Sequence, residues 1–248
     1  MSKYYNSITE SITLARRSGA SIVIPVGFRD LSASIVSTCT FLQSLLQQII
    51  YVTHGAELLA AKRTLKEFPN PKARIDFLCS FPYSEADPVV LSVFNYARLL
   101  FRDLYELRNI LSHEVWGSSD VYGDAVIFSG LDEEARLLMV SGRIWHVENT
   151  TPQEVFDATV RYIRSVKIVT SADLRAAMDD ANLCSWILMH IGNVLNEQDA
   201  TRKGEARQLF LQYKGTSHLF ADTVPTTGTL SFNASRSRSI QGRTESGA

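Results

Sequence analysis

From Leu31 to Ala56 the chain reads "LSASIVSTCTFLQSLLQQIIYVTHGA", without one Asp, Glu, Lys or Arg. A charge-free run of that length is long enough to cross a bilayer, or else it is a helix deep in a bundle or at a subunit interface. Its Ser, Thr and Gln residues each cost free energy in lipid unless another polar group partners them. A buried bundle helix is therefore expected, with no membrane association. Leu31, Ile35, Phe41, Leu42, Leu45, Ile49 and Val52 recur at threes and fours, which predicts one continuous helix over 29–53.

Such a helix needs partners, and a chain of 248 residues can supply them in a core that needs no covalent staples. The formal net charge of −1 gives no global field to attract nucleic acid, so any RNA contact has to be local. The three cysteines, Cys39, Cys79 and Cys184, lack metal or redox spacing and read as reduced, buried thiols of a cytoplasmic protein. The opening "MSKYYNSITESITLARRSGASIVIPVG" has no apolar run behind its basic residue and is not expected to be a secretory signal. His54, His146, His190 and His218 are isolated, so neither a metal site nor a cofactor is expected.

The predicted organisation is an N-terminal arm over 1–28, a helical domain over 29–214 and a disordered tail over 215–248. Pro25 demotes "SIVIPVGF" to an edge strand or extended arm. Further helices are expected over 56–68, 72–81, 88–113, 151–169, 171–198 and 204–215. Asp87 and Pro88 form a cap and first helical position, and Thr151, Pro152 and Glu154 form a capping box. After Gly117, read as a turn or cap, "DAVIFSG" and "ARLLMVSGRIWHV" are β-type runs joined by "LDEE", which predicts a β-hairpin at about 124–147. The fold class expected is mainly α: an antiparallel helical bundle with a small β-hairpin inserted after helix 88–113.

Helix 88–113 carries the polar set of interest, in "ELRNILSHEVWG" (106–117). Leu100, Leu104, Leu107 and Leu111 form its core stripe. Arg102, Glu106, Asn109 and His113 lie opposite, with Arg102 and Glu106 spaced as an ion pair. Arg108 lies about 140° from His113 on the wheel, yet its long side chain can swing toward that edge. Transesterification of RNA needs a base for the 2′-OH, an acid for the departing 5′-oxygen and a cation for the crowded phosphorane. Histidine fills either proton role, arginine forks onto phosphate, and asparagine orients the ring or donates to phosphate. One chain supplies one such histidine, so a two-fold dimer is expected to bring base and acid together. Ile110, on the polar side of the wheel, is then expected to be buried by the second copy. Trp116 either stacks an RNA base or packs the helix end against the hairpin.

Arg108, Asn109, Ile110, Leu111, Ser112 and His113 resemble the motif of the HEPN superfamily (higher eukaryote and prokaryote nucleotide-binding domains), which is Arg, a polar residue, three variable residues, then His. The resemblance covers roughly residues 30–120 and implies a helical bundle acting as a homodimeric, metal-independent endoribonuclease. The implied catalytic residues are Arg108, Asn109 and His113, with Arg102 and Trp116 as further substrate contacts. It also implies an RNA substrate, a product bearing a 2′,3′-cyclic phosphate, and an antitoxin or defence-system partner. Many members have Ala and Gly beside the histidine, where this chain has Ser112 and Glu114. The Glu114 carboxylate is expected either to oppose phosphate or to pair with His113. The alternative reading is a non-catalytic module of the same type that binds RNA, a nucleotide or a protein.

Overall fold

The computed structural model describes residues 4, 6, 7, 24–54, 66–68, 71–80, 87–117, 124–140, 150–197 and 199–220. The helix expected over 56–68 lies outside them except for 66–68, as do Trp145, His146 and the chain beyond 220.

The fold is mainly helical. The charge-free stretch forms α1 (Phe28–His54). It follows a turn in which the Phe28 N–H bonds Pro25 O at 3.1 Å, and Gly27 takes the left-handed φ of 76° that this turn needs. Among the described residues α1 alone is long and apolar enough to cross a membrane. Its Ile35, Leu42, Leu46 and Ile49 are buried in the core.

Next come α2 (Pro71–Ser80) and α3 (Pro88–His113). Asp87 caps α3 as expected, its Oδ1 accepting from the Val89 N–H at 2.8 Å. Helix α3 is the hub of the bundle, and its buried residues run from Val89 to Leu111. All three cysteines donate to its backbone: Cys39 of α1 to Leu104 O (3.6 Å), Cys79 of α2 to Arg98 O (3.8 Å) and Cys184 to Ala97 O (3.3 Å). In return the Arg98 guanidinium donates to Cys79 O and closes the C-terminal end of α2. This contact fixes α2 beside α3.

A short strand β2 (Val115–Gly117) follows directly, then β3 (Ala125–Ser129), α4 (Leu131–Val140), α5 (Pro152–Ser165), β4 (Lys167–Thr170) and α6 (Ser171–Asn196). Helix α7 (Ala200–Gln212) and a 3-10 turn over Ser217–Phe220 end the described chain. A two-residue edge strand β1 (Asn6–Ser7) completes an antiparallel sheet of order β1-β4-β3-β2. Pairing sets Phe128 opposite both Trp116 and Lys167, and Ser7 on the far side of Lys167. Side chains alternate between faces: Val126, Phe128 and Val169 join the bundle core, while Ala125, Ile127 and Ile168 form a second, smaller core with Val166 and part of α5.

Several expectations are corrected here. The hairpin expected at 124–147 has its first strand, but "LDEEARLLMV" is helix α4, not a turn and second strand. Asp132, Glu133 and Glu134 fall in its first turn, where acidic side chains oppose the positive end of the helix dipole. The real partners of β3 are β2 and β4. The helix expected over 151–169 stops at Ser165, because the β-branched run that follows pairs as a strand. Gly117 is a buried strand residue paired with Ile127, not a turn or cap. Packing also continues past 214. Thr216 is fully buried, and Gly215 sits where a Cβ would come within 2.7 Å of Leu183 Cδ1. The N-terminal arm is tied down through Tyr4, buried with its hydroxyl donating to Asp180 Oδ2 at 2.7 Å.

Ile110 is 4% exposed within the single chain, so no second copy is needed to bury it. Ile110→Ala is expected to cost about 2–5 kcal/mol, as for other truncations in a packed core. Urea denaturation is expected to give the same loss in dilute and concentrated protein. A loss confined to concentrated protein would return the residue to an interface.

Burial pushes the Cys79 thiol up to about 11 and the Cys39 thiol up to about 12. The unfolded chain ionises these groups at about 8.5, so the neutral thiols stabilise the fold fully below that pH. That contribution is lost as pH rises toward 11 to 12. Denaturation midpoints are expected to fall above about pH 9, and Cys39→Ala to flatten the fall.

Candidate functional site

Helix α3 ends at His113. Glu114 leaves the helical region at φ −89° and ψ 159°, and its N–H still bonds Ile110 O at 3.2 Å. The chain enters β2 at once. Trp116 anchors this exit: its indole N–H donates to Leu111 O at 3.2 Å, taking one of the carbonyls left open at the helix end. Its ring meets Phe128 at 5.2 Å and Phe28 at 5.8 Å, both edge-on. Of the two roles read for Trp116, the structure gives the packing one, and Trp116 does not line the cleft described next.

The exit holds the motif side chains together. Arg108 Nη1 donates to Asn109 Oδ1 at 3.0 Å and lies 3.2 Å from His113 Nε2. Its guanidinium carbon also stands 5.7 Å from the centre of the Tyr105 ring. A guanidinium only donates, so a hydrogen bond here is one in which His113 Nε2 accepts. The wheel angle between Arg108 and His113 is thus overcome by side-chain length.

His113 and Asn109 line a cleft of about 380 Å³ between α2, α3 and β4. Helix α2 contributes Lys72, Ile75 and Asp76, and β4 contributes Lys167. From α3 and its exit come Arg102, Tyr105, Glu106, Ile110 and Glu114. Arg102 thus lines the cleft, and its Nε lies 3.9 Å from the Asp103 carboxylate. The Glu114 carboxylate pairs with the Lys167 ammonium. It thus follows neither course expected of it, because Lys167 offsets its charge. Its second oxygen, Oε2, is buried without a hydrogen-bond partner.

Lys167 was not legible from motif spacing. It follows a helix whose amphipathic pattern runs to its end, and it reaches the site only through sheet pairing. One local signal does exist. Thr170 and Asp173 form a capping box, with Asp173 N–H to Thr170 Oγ1 at 3.1 Å and Thr170 N–H to Asp173 Oδ2 at 2.9 Å. That box starts a new helix at 171 and leaves "KIVT" as a separate strand.

His190 and His218 lie in aromatic surroundings. His190 packs on Trp186 with centroids 4.3 Å apart, and burial lowers its pKa. His218 meets Tyr96 at 5.2 Å. Among the described residues, no three of His, Cys, Asp and Glu converge as a metal-binding set. Comparisons with family models, with curated proteins and with solved structures find no match for the chain.

Lys167 and Glu114 keep side-chain exposures of 23% and 17%, between a surface pair and a buried one. Lys167→Met is expected to cost about 1–3 kcal/mol by stranding the carboxylate. The double change Glu114→Gln with Lys167→Met is expected to recover most of that loss in thermal or urea unfolding. Additive single losses would mean that the two groups do not interact.

Proposed function

We propose that this protein is a metal-independent endoribonuclease of HEPN type that works as a homodimer. The observation that carries the reading is the Arg108–His113 contact at 3.2 Å, with His113 lining a cleft of about 380 Å³. Five positions apart on one helix, these two residues share no face, and their meeting serves a site better than it serves packing.

The chemistry follows from the groups present. The lone pair on His113 Nε2 accepts the proton of a ribose 2′-OH. The freed oxygen attacks the adjacent phosphorus, and the bond from phosphorus to the 5′-oxygen breaks. The products are a 2′,3′-cyclic phosphate and a 5′-hydroxyl. For this step Arg108 must turn from Nε2 to a non-bridging phosphate oxygen, where its fixed charge stabilises the phosphorane. Asn109 Oδ1 holds the guanidinium near that position.

An imidazole that accepts from arginine is poised as a base. The leaving oxygen needs a protonated group: the His113 of a second copy supplies it once its own Arg108 has turned away and its ring has taken a proton from water. A toxin restrained by an antitoxin, or an effector in antiphage defence, is the setting this reading implies.

The decisive test uses labelled single-stranded RNA with EDTA present throughout. Wild-type protein is expected to cleave it to cyclic-phosphate ends. His113→Ala is expected to lose at least a hundredfold in rate, with unchanged dimerisation and melting temperature. Arg108→Lys is expected to lose at least tenfold, since a point charge does not replace the fork. RNA left intact by wild type and variant alike would leave a helical binding module.

A further inference from the structure

We infer that Glu114 reads a guanine base seated in the cleft, so that a strand is cut on the 3′ side of guanosine. The position of the cut rests on the nuclease reading. The seat for the base does not.

Glu114 Oε2 is buried and has no hydrogen-bond partner. Buried polar atoms are as a rule hydrogen-bonded, so what this oxygen lacks is a donor. The other oxygen holds the Lys167 ammonium. That contact offsets the charge of the carboxylate and leaves the lone pairs of Oε2 unused. The Glu114 side chain keeps 17% exposure and lines the cleft, so a ligand there lies against it. To meet a donor, Oε2 turns outward about the contact with Lys167.

The formal charges lining the cleft cancel, so no net field favours a cation or an anion. An uncharged donor suits it. Tyr105 and Ile110 give the same cleft an aromatic and an aliphatic wall for a flat ring. Among the RNA bases, guanine alone sets two N–H donors side by side, N1–H and the N2 amino group, on its Watson–Crick edge. Adenine and cytosine place a ring-nitrogen acceptor beside their amino group, and uracil flanks its N3–H with two carbonyls. An acceptor turned toward a carboxylate is repelled. Glu114 follows His113 directly, and both line the cleft. A guanosine whose base meets Glu114 therefore brings its own ribose to the imidazole. Its 2′-OH is then the one that His113 deprotonates, and the bond that breaks lies 3′ to that guanosine.

The test measures, by titration calorimetry, the binding of the 3′-monophosphates of guanosine, inosine, adenosine and cytidine to wild type and to Glu114→Gln. The phosphate is common to all four, so the differences report the base. Wild type is expected to bind the guanosine form about tenfold or more tightly than the adenosine and cytidine forms. Inosine keeps N1–H but lacks the N2 amino group, and its form is expected to fall between. Glu114→Gln keeps an oxygen for Lys167 and puts an amide donor in place of the other, so it is expected to bind all four within about threefold of one another. The inosine comparison uses the unaltered protein and stands even where the variant fails to fold. RNA cut by wild type is expected to end in guanosine 2′,3′-cyclic phosphate.

Wild type that binds none of the four, or all of them equally, would overturn the guanine seat, as would a guanine preference that folded Glu114→Gln retains. The nuclease reading fails separately. Guanine-selective binding that Glu114→Gln abolishes, with RNA left intact, removes the nuclease and keeps the seat. Cleavage after all four bases alike does the reverse.

Discussion

Helix α3 buries one broad face along its whole length, from Val89 to Leu111, and the site follows from that constraint. Val90, Val93, Phe94, Ala97, Phe101, Leu104 and Leu107 are all fully buried. Thiols from α1, α2 and α6 reach its backbone from three directions. At about 25 cal/mol per Å² of apolar surface, a helix so enclosed cannot rotate or slide without a large loss. Opposite that face runs a polar stripe from Arg102 through Glu106 and Asn109 to His113, on which the cleft opens.

The end of that helix is fixed as firmly as its middle. Trp116 takes the Leu111 carbonyl, and its ring fills the space between Phe28 at the start of α1 and Phe128 in β3. His113 therefore sits where a rigid helix meets a rigid sheet. The sheet does more than stop the helix. Through the pairing of β3 with β4 it returns a residue more than fifty positions away to the neighbour of the histidine. A histidine at a frayed helix end would sample many orientations. Here backbone order reaches the residues on both sides of it.

Much of the bundle was legible because its signals are local. The four-three-four spacing of Leu100, Leu104, Leu107 and Leu111 named a core stripe, and all four residues are buried. Asp87 and Thr151 announced helix starts through side chains that bond amides two and three residues on. Arg108, Asn109 and His113 could be named together because they fall within one six-residue motif, and the length of the Arg108 side chain closes the wheel angle. What failed were the pairings. "ARLLMV" has the composition of a strand, but its acidic first turn and the partnering of β3 elsewhere decide for helix. Ile110 faces the polar side of an ideal wheel, yet it is buried at the floor of the cleft. A wheel records only the angle about one axis and not the neighbouring helix that covers it. Lys167 was invisible for the same reason: long-range register cannot be read from the residues on either side.

Charge balance in the cleft matches that of the chain, whose formal net charge is −1. The cleft sets Lys72, Arg102 and Lys167 against Asp76, Glu106 and Glu114, so its formal charges cancel before Arg108 is counted. A neutral cleft does not draw polyanions from a distance. Within it Glu114 stands as the counter-ion of Lys167. It holds the lysine in a partly buried position, which a lone cation would leave for solvent. Beyond that pair, Arg108 reaches past the wheel angle to stand at His113 Nε2, so a guanidinium meets the imidazole at the helix exit.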